Sequence, residues 1–96
     1  MNTKTLTNAR EVIDRAMRDF YRDVAFVVID VSPDIDEDGQ EFLWVKAVYD
    51  GEPTVIDTRK SLTMVRELRP KLDELEVAAF PVISYVARSD YEEQSA

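Results

Sequence analysis

The sequence predicts an α+β fold: a three-stranded sheet with helices on one face, in the order α-β-β-α-(α)-β. Three observations point there. The N-terminal stretch repeats apolar residues at helical spacing. Two β-rich runs follow, separated only by a short acidic loop. The second half then returns to helical spacing and closes on one alternating apolar run.

The first helix is expected over Leu6 to Arg22. Leu6, Ala9, Ile13, Ala16, Met17 and Phe20 share one face at three- and four-residue spacing. Thr7 or Asn8 can cap it, and Asn8 with Glu11 has capping-box spacing. Arg15, Arg18 and Arg22 lie opposite, with Glu11–Arg15 and Asp14–Arg18 in the favourable acid-first i,i+4 order. That stripe reads as a solvated face. Val24 to Val31 is β-branched and aromatic, too short for a helix and apolar on both faces, which predicts a central strand stopped by Ser32-Pro33.

A second strand is expected over Glu41 to Tyr49, antiparallel to the first. Phe42, Trp44 and Val48 point one way; Leu43, Val45, Ala47 and Tyr49 point the other. Trp44 reads as a core anchor in preference to an interface anchor. Asp50-Gly51-Glu52-Pro53 is a turn, and Thr54-Val55-Ile56 forms a short strand or enters the next helix. Asp57 or Thr58 can cap that helix, whose apolar face is Leu62, Val65, Leu68, Leu72 and Leu75. Pro70 predicts a kink or a division into two helices. The last strand is expected over Phe80 to Arg88, with Pro81 near its start. Residues 1–89 form a single domain, and residues 90–96 an acidic tail expected to fray.

Composition narrows the function. Hydrophobic residues make up 45% of the 96, enough for one core. There is no cysteine, which excludes disulfides, thiolate metal sites and cysteine catalysis and favours a reducing compartment. There is no histidine, so the commonest general base and metal ligand is missing. No signal peptide or long apolar run is evident, and the cytoplasm is the expected location, with no membrane partner. The two glycines, Gly39 and Gly51, belong to no phosphate-binding loop. These features predict a protein without enzymatic activity or cofactor.

Charge is unevenly placed. The net charge is −8, and residues 30–52 hold eight acids and one base, while residues 59–71 hold five bases and one acid. The sharpest motif, Asp34-Ile35-Asp36-Glu37-Asp38-Gly39, has the first half of a calcium loop, but Val45 stands where the bidentate acid belongs. It reads as an exposed hairpin loop of like charges, mobile without a partner and suited to a Lys/Arg-rich surface. The candidate partner-binding residues are Asp34, Asp36, Glu37, Asp38 and Glu41. Their partner is a basic protein or a second copy of the chain. A carboxylate enzyme using Asp34, Asp36 and Asp38 with a divalent metal is a third possibility, without an adjacent nucleophile or base.

The order of elements resembles the type II KH fold. Val28-Ile29-Asp30-Val31-Ser32-Pro33-Asp34 is similar to the first hairpin of the ribosome-binding factor A family. Phe80-Pro81-Val82-Ile83-Ser84-Tyr85-Val86 resembles that family's last strand. The resemblance implies an RNA- or ribosome-associated accessory protein, with Arg59, Lys60, Arg66, Arg69 and Lys71 on phosphates. KH domains that clamp RNA use a Gly-x-x-Gly loop; Arg66 to Lys71 has no glycine, and the net charge disfavours naked nucleic acid. The first expectation is therefore a non-catalytic domain docking a basic partner through its acidic hairpin.

Overall fold

The computed structural model describes residues 1–52 and 56–95, and it has the expected α+β class and three-stranded sheet. Helix α1 spans Thr3–Phe20, strand β1 Phe26–Ile35 and strand β2 Glu41–Tyr49. A single 3-10 turn, Thr58–Lys60, leads into helix α2, Ser61–Glu74; strand β3 is Phe80–Ala87 and helix α3 is Arg88–Ser95. Sheet order is β1-β2-β3, with β1 antiparallel and β3 parallel to the central β2. The parallel pair is possible because α2 provides the crossover that parallel neighbours require.

The core forms between α1, α2 and one face of the sheet. Ala9, Ile13 and Met17 of α1 and Met64, Leu68 and Leu72 of α2 are buried against Val31, Leu43, Val45 and Ala47. At one edge of this core Tyr21 packs edge-on against Phe20, Phe26 and Tyr85, and its hydroxyl lies 2.7 Å from that of Tyr85. The bond satisfies both phenols where water is scarce.

Several boundaries differ from the sequence reading, each for a physical reason. α1 starts earlier because Asn2, not Thr7 or Asn8, is the cap: its Oδ1 accepts from the Thr5 amide at 2.8 Å. Of the two anticipated i,i+4 pairs, Asp14–Arg18 forms at 2.7 Å. β1 runs through Ser32-Pro33 and is an edge strand rather than a covered central one, and an edge is where proline is tolerated. α2 continues through Pro70 as one helix, with Pro70 on its exposed side where water can serve the carbonyl that loses its donor. Asp57 caps as expected, accepting from the Arg59 amide at 3.0 Å. The expected turn and short strand at residues 53–55 lie outside the described residues. The polar tail is helical: α3 packs back on β2 and β3. Val48, on the face turned away from α1 and α2, is fully buried, at the end of the sheet next to α3.

Two predictions follow from this packing. Leu68→Ala removes a fully buried side chain facing both the sheet and α1, and should cost about 2–5 kcal/mol in urea unfolding. Leu62→Ala, on the exposed side of the same helix, should change stability by less than about 0.5 kcal/mol. Burial, then the Tyr85 hydrogen bond, then the nearby Asp57 carboxylate raise the Tyr21 phenol above its ordinary value. The folded state thus prefers neutral Tyr21 more strongly than the unfolded chain does. Its contribution is intact below the unfolded pKa of about 10 and is lost as pH climbs beyond it. Urea midpoints should fall above about pH 10, and Tyr21→Phe should flatten that decline.

Candidate functional site: the outer face of the sheet and its acidic hairpin

Two long amphipathic helices can cover only one face of a sheet. The other face is built from the alternate side chains of each strand. Strand register sets them in rows: Asp34–Phe42–Phe80, then Ser32–Trp44–Val82, then Asp30–Lys46–Ser84, then Val28–Val48–Val86. In the last row Val48 is fully buried. The first two rows are open, and Trp44, Phe80 and Val82 remain 43%, 47% and 44% exposed. Trp44 is therefore not the core anchor expected from sequence; it stands on the outer face between Ser32 and Val82.

These side chains floor an open groove of about 590 Å³. Phe42, Trp44, Phe80 and Val82 supply its apolar surface, and Asp36, Gln40 and Glu41 of the hairpin stand at one end. A flat sheet face with exposed aromatics is an interaction surface more often than a solvated one, since monomers seldom leave such side chains contiguous. On the β3 side the Arg69 guanidinium sits 5.2 Å from the centre of the Phe80 ring. That is a cation–π contact, and it brings one cation of α2 to the border of the groove.

The hairpin has a defined form. The Gly39 amide donates to the Asp36 carbonyl at 3.0 Å, and the Asp36 amide donates to the Gln40 carbonyl at 2.9 Å. Gly39 has φ 79°, so the loop is a tight turn closed by a glycine bulge. One Asp36 carboxylate oxygen accepts from the amides of both Asp38 and Gln40 at 2.9 Å. Asp36 thus holds the turn, the local role this residue type plays in turns. Asp34 accepts from the amide of Ile35 at 2.8 Å. Glu41 faces the Met1 amino group at 3.9 Å. Glu37 and Asp38 are exposed at the tip. The D-x-D-x-D-G pattern forms this turn, and among the described residues no three acids are grouped as metal ligands.

The five cationic residues named from sequence do not share one surface. Arg59 is tied to Asp57 through two nitrogens, at 3.1 and 3.3 Å. This hydrogen bond lowers the Asp57 pKa and raises that of Arg59. Arg69 reaches the outer face, Arg66 and Lys60 are exposed on α2 and its leading turn, and Lys71 borders a separate groove between α1 and α2 with Arg15 and Glu74.

The sheet's two edges differ. Along β1, Arg10 Nε donates to the Val31 carbonyl at 3.0 Å and an Arg18 guanidinium nitrogen to the Phe26 carbonyl at 3.0 Å. These contacts occupy acceptors that another strand would need. Of the stripe Arg15, Arg18 and Arg22 read as solvated from sequence, Arg18 is therefore partly structural, as is Arg10 outside it. No family model, curated protein or solved structure matches this chain.

The hairpin geometry yields a contrast. Asp36→Ala should destabilise by about 1 kcal/mol by urea unfolding, through loss of two amide acceptors. Asp38→Ala, whose carboxylate accepts no hydrogen bond among the described residues, should stay within about 0.5 kcal/mol. Amide exchange at Gln40 should accelerate only in the first variant.

Proposed function

We propose that this chain is a non-catalytic docking domain whose outer sheet face takes a Lys/Arg-rich partner segment with apolar anchors. The observation carrying this reading is the groove itself: an aromatic and aliphatic floor with carboxylates grouped at the hairpin end. The floor supplies affinity, because withdrawing Trp44, Phe80 and Val82 from water is favourable by roughly 25 cal/mol per Å² of apolar area buried. The acids supply orientation and selectivity, because Asp34, in the outer row with Phe42 and Phe80, attracts a cation and repels an acidic competitor, and Glu41, facing the Met1 amino group, adds to the field from the strand start. Asp36 contributes its charge and the shape of the turn, and Glu37 and Asp38 extend the field at the tip.

The absence of histidine and cysteine supports a binding role over a catalytic one. The dispersion of Arg59, Lys60, Arg66, Arg69 and Lys71 gives RNA phosphates no continuous track, and the overall negative charge opposes a polyanion. Exposed aromatics on a sheet could stack bases, but the charges beside Phe42 and Trp44 are mainly acidic.

Trp44 is the chain's one tryptophan and reports on the groove directly. A synthetic Lys/Leu amphipathic peptide of about 12 residues should shift its emission to the blue saturably. The affinity should fall as salt rises, because a Debye length of about 10 Å at 0.1 M shortens further. Asp34→Lys with Glu41→Lys should abolish the salt dependence and weaken binding about tenfold. A Glu/Leu peptide binding equally well, or single-stranded RNA quenching Trp44 more strongly than the basic peptide, would overturn the reading.

A further inference from the structure

We propose that a second copy of this chain is the groove's partner, docked by a two-fold arrangement that lays the exposed side of α2 from each copy over the groove of the other. This inference rests on the docking role assigned to the groove. Leu62 is 71% exposed, more than any other large apolar side chain among the described residues. It lies on the side of α2 opposite the buried Met64, Leu68 and Leu72. Arg66 and Arg69, four and seven positions on, share its stripe. Neither arginine has a carboxylate within salt-bridge distance among the described residues. The stripe is therefore an apolar anchor followed by unpaired cations. The groove is its complement, an apolar floor bordered by carboxylates.

Local charge favours a copy of the same chain over an unrelated occupant. Arg66 and Arg69 stand on the Leu62 stripe, and Asp34 and Asp36 stand at the hairpin end of the groove, so each copy carries both halves of the match.

The placement of the two patches favours it as well. A two-fold interface requires complementary patches side by side on one surface, so that each meets the other reciprocally. Arg69 over Phe80 shows that they border one another. A two-fold axis passing near this contact carries each Leu62–Arg66 stripe toward the other copy's Trp44 and hairpin acids. Pairing through the β1 edge is restricted, since Arg10 and Arg18 occupy two of its carbonyls. A standard interface of about 800 Å² per partner is roughly one eighth of the 6527 Å² accessible surface.

The test is sedimentation equilibrium of the full chain from about 1 µM to about 1 mM at low and high salt, with Trp44 emission followed in parallel. A dimer that weakens with salt and shifts Trp44 emission to the blue is expected. Leu62→Glu and Arg66→Glu, both at exposed positions, should each weaken dimerisation at least about tenfold while leaving circular dichroism unchanged. The decisive arm is charge exchange. Arg66→Glu alone and the Asp34→Lys, Glu41→Lys double variant alone should be monomeric, and their equimolar mixture should dimerise. Failure of the mixture to associate, or a dimer indifferent to Leu62 and Arg66, overturns the inference. A chain that is monomeric throughout yet binds the Lys/Leu peptide overturns it while leaving the docking role standing; a chain that does neither overturns both.

Discussion

Among the described strands β2 alone has a neighbour on each side, and the molecule is arranged around what its two faces need. Leu43, Val45 and Ala47 point into the core and are fully excluded from water, enclosed by α1 and α2. Those three side chains can be dry only if both helices lie on the same face of the sheet. That requirement consumes all the long amphipathic helix in the chain. The opposite side chains of β2, at positions 42, 44, 46 and 48, have no comparable layer available. α3, short and poor in apolar residues, sits next to the Val48 end of the sheet and leaves Phe42 and Trp44 open. The exposed groove is thus a direct consequence of packing a three-stranded sheet with two long helices.

The remaining polar contacts limit where this open face can lead. An edge strand with free backbone groups invites pairing with any other strand. At β1 the invitation is partly withdrawn, since Arg10 and Arg18 donate to its outward carbonyls and Pro33 lacks an amide hydrogen. At the hairpin, one carboxylate oxygen of Asp36 fixes the turn, so the acids beside it are presented from a shaped loop and not from a loose chain. On the docking role proposed above, these contacts direct a partner to the face of the sheet, with acidic charge at its hairpin end.

Much of this was legible in the sequence, and the failures share a cause. β2 is bounded as its alternation indicates, because an alternating pattern closed by Asp50-Gly51 admits few other readings. The core face of α2 was visible in Leu68 and Leu72. Pattern could not show where Ser32-Pro33 lies in the sheet. That pair ends a central strand but is tolerated at an edge, and strand order is a tertiary property. Likewise Pro70 divides a helix on propensity alone, yet on the exposed side of α2 its cost is met by solvent. α3 carries almost no apolar periodicity and is set by its contacts with β2 and β3. Trp44 is the informative miss. A tryptophan mid-strand reads as core, but the count of long helices was already two, and a three-stranded sheet presents two faces. Counting covering layers against apolar faces would have identified Phe42, Trp44, Phe80 and Val82 as uncovered.

The same count bears on why such a face is sustained. Burying Trp44 within one copy would take a third long amphipathic helix, and the described residues hold two. Trp44 keeps 43% of its surface in water, so part of its apolar area is left unused by the packing of one copy. On the docking role proposed above, that area is the reserve: an exposed indole between Ser32 and Val82 gains free energy when something covers it. The acids at the hairpin act over a longer range than that contact and bias which surface arrives. Fold and site are in this sense one problem, because the face the helices cannot reach is the face left free to bind.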